Sequence, residues 1–211
     1  MSFDAVAPWY RTLETIAFGN ALQRARVACL DEIATSRRAL VVGEGNGRFL
    51  KELLGVNRSI EVDCVDDSEQ MLELARRRVR EGAGRVAFLR RDLLSWEPPP
   101  GRYDLIVTHF FLDCFPRDQL AGIVAKLSKA ARPDAAWLLA DFCLPDRGFA
   151  RMRARLWLAA MYRFFRTVAG IDAQELIDPS PFLRSEGFAL ARQHLFRGGS
   201  LKSELWRRSQ L

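Results

Sequence analysis

The most informative stretch of the chain is Ala39-Leu-Val-Val-Gly43-Glu-Gly45-Asn-Gly47-Arg-Phe49. Four apolar residues run into three glycines at alternate positions, as a buried strand does when it enters a turn. Glycine allows the positive φ of a tight turn and lets a ligand approach the backbone closely. The N–H groups at the start of a following helix suit a carboxylate or a phosphate. The stretch therefore predicts a strand, a ligand-binding turn and a helix.

The segments around this stretch alternate in the same way between apolar strands and amphipathic helices. The predicted strands cover residues 39–42, 60–65, 86–89, 103–108 and 135–140, and the predicted helices cover 49–54, 68–80 and 120–131. Strands separated by helices of this length call for right-handed crossovers and a parallel sheet. We therefore predict a doubly wound, Rossmann-like α/β fold with a mostly parallel sheet.

The two ends of the chain depart from this alternation. Residues 8–35 have a helical pattern with an interruption near Gly19, and helices are also predicted at 149–168 and 181–185. Strands predicted at 188–196 and 201–206 flank Gly198-Gly199, which indicates a closing antiparallel hairpin. We expect one domain over 1–211: N-terminal helices (1–36), a core (37–142), cap helices (143–187) and the hairpin (188–208).

The glycine pattern excludes two common nucleotide-binding motifs. The dinucleotide pattern Gly-x-Gly-x-x-Gly would end at Arg48 or Leu50, and no Gly-Lys-Ser/Thr of a P-loop follows. A purely structural turn stays an alternative. Acids at the ends of the next strands favour a ligand site, because Asp66 and Asp92 fall at the carboxyl edge of the sheet. There Asp66 can accept ribose hydroxyls and Asp92 can accept a hydrogen bond from an adenine amino group.

Four segments together resemble the class I S-adenosylmethionine (SAM)-dependent methyltransferases. They are Gly43-Glu-Gly-Asn-Gly47, Val65-Asp-Asp-Ser-Glu-Gln-Met-Leu72, Arg91-Asp-Leu93 and Tyr103-Asp-Leu-Ile-Val107. The resemblance runs from about residue 39 to 142. The opening Phe3-Asp-Ala-Val-Ala-Pro-Trp-Tyr10 and the tail before Phe188 are similar to those of ubiquinone/menaquinone-biosynthesis C-methyltransferases.

The resemblance implies a cofactor, SAM, with S-adenosylhomocysteine as its product, and the residues that hold it. Gly43, Gly45 and Gly47 would contact the methionine part of SAM. Where the family usually has an acid, this chain has Val41, so the SAM amino group is expected to meet a backbone carbonyl or Glu44. The nucleoside part of the cofactor would be held by Asp66 at the ribose, Met71 and Asp92 at the adenine, and the adjacent Asp67 and Leu93.

Proton transfer from the methyl acceptor has three candidate residues. His109 directly follows the fourth strand and is interpreted as a general base, with a cofactor contact or a structural role as alternatives. Asp113, four residues later, is a candidate to orient His109, or else it caps the next helix. Tyr10 would contact SAM or substrate if the N-terminal helix folds over the cleft as in the similar enzymes. His194 is interpreted as structural.

Composition narrows the classes of partner and compartment. The net charge is +6 and all but four of the basic residues are arginines, which weakly favours an anionic partner. The four cysteines lack a Cys-x-x-Cys pair and there are only two histidines, so we expect reduced thiols and no metal site. The N-terminus lacks a signal-peptide layout and no long apolar run occurs, so a cytoplasmic protein is expected.

Three functions are compatible with these patterns. The first is methyl transfer to an oxygen or carbon of a small, hydrophobic or lipid-like acceptor. The second is RNA methylation, which the absence of an RNA-binding module disfavours. The third is a SAM-binding protein without catalysis, or an oxidoreductase that uses another nucleotide. The Arg-rich, aromatic segment 149–168 either packs on the sheet or forms a lid that reaches an anionic membrane surface.

Overall fold

A computed structural model describes residues 19–145, 148, 151, 152, 155 and 176–208. Within them a single sheet contains seven strands in the order β3-β2-β1-β4-β5-β7-β6. The strands are β1 (Arg38–Val42), β2 (Glu61–Asp66), β3 (Val86–Arg90), β4 (Tyr103–His109), β5 (Ala131–Phe142), β6 (Phe188–Phe196) and β7 (Leu201–Arg208).

The first five strands run parallel, and β7 pairs antiparallel with both β5 and β6. The described helices are α1 (Ala21–Val27), α2 (Arg48–Val56), α3 (Glu69–Arg78), α4 (Arg117–Ala130) and α5 (Ser180–Ser185). Short 3-10 turns cover Asp31–Ile33, Arg80–Arg85 and Leu112–Cys114. The predicted doubly wound fold and its closing hairpin are confirmed.

Two hydrophobic clusters cover the two faces of the sheet. In β1, Leu40 and Val42 belong to one cluster, while Ala39 and Val41 belong to the other. This follows from the alternation of side chains along a strand. The central strands are buried on both faces, which explains why β1 and β5 have continuous apolar runs instead of an alternating pattern.

The predicted bounds differ from the observed ones mainly around α4 and β5. The helix begins at Arg117, three residues before the predicted start, because the extended backbone of Pro116 stands at its N-cap. It ends at Ala130, and β5 begins at once at Ala131. A register irregularity between Tyr103 and Leu105 lets the start of β5 pair with β4.

The predicted helices at 8–18 and 149–168 lie mostly or wholly outside the described residues. Among the residues that the structure describes, no helix is long and apolar enough to cross a membrane. All four cysteines are free thiols, as expected; three are buried and Cys143 is half-buried.

Candidate functional site

A cleft opens at the carboxyl ends of β1, β2, β3 and β4. Its lining combines the predicted turn and acids with aromatic residues that follow β4. The lining residues are Val42, Gly43, Gly45, Val65, Asp66, Asp67, Met71, Arg91, Asp92, Leu93, Leu94, Phe110, Phe111, Cys114 and Phe115. The cleft therefore lies at the edge where open α/β sheets bind ligands.

The three glycines of the turn all have positive φ, but they differ in the space that a side chain would meet. A Cβ on Gly43 would lie 2.3 Å from Cδ2 of Phe111, and one on Gly47 would lie 2.7 Å from Cα of Ala75. A Cβ on Gly45 would meet no atom within 4 Å. Gly43 and Gly47 are thus required by packing, while Gly45 leaves open space beside the backbone for a ligand.

Glu44 lies in the turn but is not part of the cleft lining. It is buried, and its carboxylate accepts hydrogen bonds from the backbone N–H groups of Phe49 (2.9 Å) and Leu50 (3.0 Å). It thereby satisfies two of the unpaired donors at the start of α2. Burial raises the pKa of Glu44 to about 7, against the lowering effect of these hydrogen bonds and of the Arg26 charge.

Asp66 links β2 to the glycine turn from within the cleft. Its carboxylate accepts hydrogen bonds from Ser68 N (3.0 Å) and, more weakly, from Gly45 N (3.3 Å). Ser68 in turn caps α3, because its side-chain hydroxyl accepts a hydrogen bond from Met71 N. Capping of α3 falls to Ser68, and the Asp66 carboxylate lines the cleft beside the turn.

Asp92 and Leu93 form the far wall of the cleft, after β3. The Asp92 carboxylate accepts a hydrogen bond from Leu94 N at 2.9 Å, which fixes a short turn. Asp92 is exposed, whereas Leu93 is buried. Met71 is buried on the opposite wall. The structure thus brings the predicted nucleoside-contacting residues together around one cleft.

The aromatic residues after β4 are the part of the lining that sequence reasoning did not assign. Phe110 has φ 52°, which is a strained backbone conformation for a bulky residue. Its ring packs against Phe142 with centroids 5.2 Å apart, and Phe111 packs edge-on against Phe115 at 5.0 Å. The available signal was the sequence Phe110-Phe111 itself, placed directly after a strand that ends in the cleft.

His109 lies on the other face of the sheet and not in the cleft lining. It is buried, and its ring meets that of Phe49 edge-on at a centroid distance of 4.5 Å. Neither ring nitrogen has a hydrogen-bond partner among the described residues. Burial, together with the nearby Arg26 charge, lowers the pKa of His109 well below its usual range. This placement corresponds to the structural alternative for His109, and neither base catalysis nor a cofactor contact finds support in it.

Asp113 lies in the turn after β4, next to the lining residue Cys114, and is buried. It makes no hydrogen bond to either ring nitrogen of His109, and its charge acts on Asp141, the fully buried carboxyl group near the end of β5. Burial first, and then the Asp113 charge, raises the pKa of Asp141 well above its usual range. The two carboxyl groups form a buried acidic pair beside the cleft. Tyr10 lies outside the described residues.

Comparisons with known proteins agree with this architecture. Residues 39–134 match a family described as "Methyltransferase domain". The fold is similar to that of the mitomycin 7-O-methyltransferase MmcR, with a TM-score of 0.69 at 21% identity over 99% of this chain. The chain spans about three fifths (61%) of the length of MmcR.

Two further solved structures contain the demethylated cofactor. The magnesium protoporphyrin IX methyltransferase ChlM from Synechocystis PCC 6803 has bound S-adenosylhomocysteine, and matches with TM-score 0.62 at 20% identity, covering 89% of this chain and 82% of ChlM. A Burkholderia thailandensis 1,6-didemethyltoxoflavin-N1-methyltransferase has 1,6-didemethyltoxoflavin and S-adenosylhomocysteine bound. It matches with a TM-score of 0.69 at 16% identity, and the match covers 97% of this chain and 85% of that enzyme. No curated protein sequence matches the chain.

Proposed function

We propose that this chain is a class I SAM-dependent methyltransferase that binds SAM in the cleft and methylates a small hydrophobic acceptor. The observation that carries the proposal is the composition of one cleft: an open glycine turn, ribose- and adenine-type acceptors and an aromatic wall. The turn and the acceptors suit the methionine, ribose and adenine parts of SAM, and the aromatic wall suits a hydrophobic acceptor. Membership of the ubiquinone/menaquinone subgroup remains a prediction.

The residues present fit this cofactor. The open space beside Gly45 allows the methionine part to reach backbone N–H groups at the start of α2. The Asp66 carboxylate lies in the cleft beside the glycine turn, where a carboxylate can accept the ribose hydroxyls. Met71 and Leu93 offer apolar surface to the adenine ring, and the exposed Asp92 carboxylate suits its amino group. A contact between Glu44, which is bonded to the start of α2, and the SAM amino group remains a prediction.

The aromatic wall supports a hydrophobic acceptor. Phe110, Phe111 and Phe115 line the cleft next to the turn, where the methionine part and its methyl group are expected. Their rings exclude water and offer a flat apolar surface, which favours aromatic or lipid-like molecules over highly charged ones. Orienting the acceptor against the methyl group is the main task of such a site.

When bound, SAM supplies a methyl group already activated by its sulfonium sulfur. For an oxygen or carbon acceptor the protein must then take up one proton. Asp113 is proposed to accept it, because it lies beside the lining residue Cys114 and is paired with Asp141. Because burial and the Asp113 charge raise the pKa of Asp141, a negative charge on both carboxyl groups at once is disfavoured, and the pair is suited to taking up a proton.

Transfer of labelled methyl groups tests the proposal. The purified protein is incubated with methyl-labelled SAM and, separately, with a quinone and lipid extract, with total RNA, and with buffer alone. We expect label in the organic extract only. Label in RNA would favour the RNA alternative, and SAM binding with no transfer to any fraction would identify a non-catalytic SAM-binding protein. Binding of NAD in place of SAM would contradict the assignment of the cleft.

A further inference from the structure

Three potential metal ligands meet on the face of the sheet away from the helix α4. Cys29 follows α1, Glu32 lies in the next 3-10 turn, and His194 lies on the edge strand β6. The Cys29 Sγ, a carboxylate oxygen of Glu32 and a ring nitrogen of His194 all lie within 4.8 Å of one another. These residues are distant in sequence, so only the docking of β6 against the segment after α1 brings them together.

The surroundings contain polar atoms that lack partners. The Nε2 atom of His194 is buried and has no hydrogen-bond partner among the described residues. Ser203 lies directly opposite His194 in the β6–β7 ladder and is fully buried. Its hydroxyl lies beside the Cys29 thiol, where it favours the thiolate, and it has no other described partner. A buried imidazole nitrogen without a partner is costly unless something occupies the position in front of it.

The charges at the site include two arginines, Arg192 and Arg207, and Arg207 Nη2 donates to the backbone carbonyl oxygen of Glu32 at 3.2 Å. Arg192 Nη1 lies 3.0 Å from Glu32 Oε1, so that carboxylate already has a partner for one oxygen. Its remaining acceptor sites are sufficient for a further ligand. Burial and the Glu32 charge raise the pKa of Cys29, so the thiol of the metal-free protein keeps its proton. Metal binding would release that proton, because a thiolate is the ligand.

We propose that Cys29, Glu32 and His194 bind a divalent cation of the zinc type. One thiolate, one imidazole and one carboxylate form a mixed donor set that Zn²⁺ accepts in proteins, with bond lengths of about 2.0–2.3 Å. Such bonds place tetrahedral ligands roughly 3.5 Å apart, which requires only small side-chain movements from the observed arrangement. Water supplies the fourth ligand. The bound ion would join α1 to the edge strand β6, independently of the cofactor cleft.

Direct binding of the metal alone tests the site. The chain is freed of metal with a chelator and titrated with Zn²⁺ against a chromophoric competitor, and Co²⁺ is used as a spectroscopic substitute. We expect one ion per chain, a sulfur-to-cobalt charge-transfer band, and a higher Tm with Zn²⁺. C29S should abolish the band and weaken Zn²⁺ binding by about tenfold or more. H194Q, on a half-buried side chain, should weaken binding without affecting the fold.

C143S is the matched control, because Cys143 is a half-buried thiol elsewhere in the chain. Its Zn²⁺ affinity and cobalt spectrum should equal those of the parent protein. The proposal is wrong if the parent protein binds no Zn²⁺ at micromolar concentration. It is also wrong if C29S and H194Q bind as tightly as the parent, or if C143S loses the band instead. Circular dichroism of each variant confirms that the fold is retained.

Discussion

The carboxylate of Glu44 accepts the backbone N–H of Phe49 at 2.9 Å, so an acid in the glycine turn caps the helix that follows it. The cap is buried, and the pKa of Glu44 is raised to about 7. A pKa raised in the folded state means that folding takes up a proton between about pH 4.5 and 7. This contribution to stability is present at low pH and is lost as the pH rises through that window.

We therefore expect E44Q to reduce the pH dependence of stability. The glutamine oxygen can still accept the N–H groups of Phe49 and Leu50, but it cannot ionise. The free energy of unfolding of E44Q, relative to the parent, should be higher at pH 8 than at pH 5. Urea denaturation at both pH values measures this. A relative stability that is the same at pH 5 and pH 8 would contradict the raised pKa.

Asp66 is predicted to be the strongest single contributor to cofactor binding. D66A should weaken SAM binding by about 1–3 kcal/mol, or about 5- to 150-fold in Kd, because a charged acceptor of the ribose hydroxyls is lost. Isothermal titration calorimetry measures the effect. D134A removes an exposed acid at the start of β5 and should bind SAM like the parent. Equal affinity of D66A and D134A would overturn the ribose assignment.

Gly45 and Gly47 should respond to alanine in different ways, although both have positive φ. In G47A the new Cβ would overlap the backbone of Ala75, so we expect a loss of stability of about 2–4 kcal/mol. In G45A the Cβ enters open space, so stability should fall by about 1–2 kcal/mol while SAM affinity falls by about tenfold. Thermal unfolding and calorimetry separate the two effects. A larger stability loss in G45A than in G47A would contradict the packing described for the turn.

His109 should prove to be a structural residue. Its pKa is lowered by burial, so the folded state excludes a proton and stability falls as the pH drops below about 6.5. H109F keeps a ring against Phe49 and removes the ionisable group, so it should lose less stability than the parent between pH 7 and 5. Its SAM affinity should stay unchanged. A large loss of turnover in a well-folded H109F would restore the general-base hypothesis.

Asp113 is the proposed proton acceptor, and D113N should lower kcat by about 10²- to 10⁴-fold with little change in SAM affinity. The matched control is D118N, an exposed acid in the first turn of α4. Steady-state kinetics with an identified acceptor, and SAM titration of both variants, provide the comparison. If D113N and D118N have the same kcat, proton transfer does not involve Asp113.

The sequence predicted the strand order along the chain and the edge at which ligands bind, because alternating strands and helices permit few topologies. It also predicted the turn, Asp66 and Asp92, since each directly follows a strand. The placement of His109 has a physical cause. Leu105, Val107 and His109 alternate with Ile106, Thr108 and Phe110, so His109 shares the face of Leu105 and Val107. This alternation along β4, and not the position of His109 at the strand's end, determines the side of the sheet on which its ring lies.

Other features could not be predicted from local patterns. The left-handed conformation of Phe110 depends on its neighbours in space, including Phe142 at the end of β5. The pairing of Asp113 with Asp141 joins the turn after β4 to the end of β5. The meeting of Cys29, Glu32 and His194 requires β6 to lie at the sheet edge next to the segment after α1. Each of these depends on tertiary contacts between residues far apart in sequence.

The position of β7 between β5 and β6 has a consequence for synthesis on the ribosome. A growing chain that has completed β5 exposes that strand's edge until residues 201–208 have emerged, because β7 alone pairs with it on that side. The exposed edge belongs to a long, apolar strand of the type that pairs with other chains. The time needed to translate the chain from the end of β5 to the end of β7, and not the time needed for the cofactor-binding core, therefore sets the period during which nascent chains are prone to aggregation and to chaperone binding.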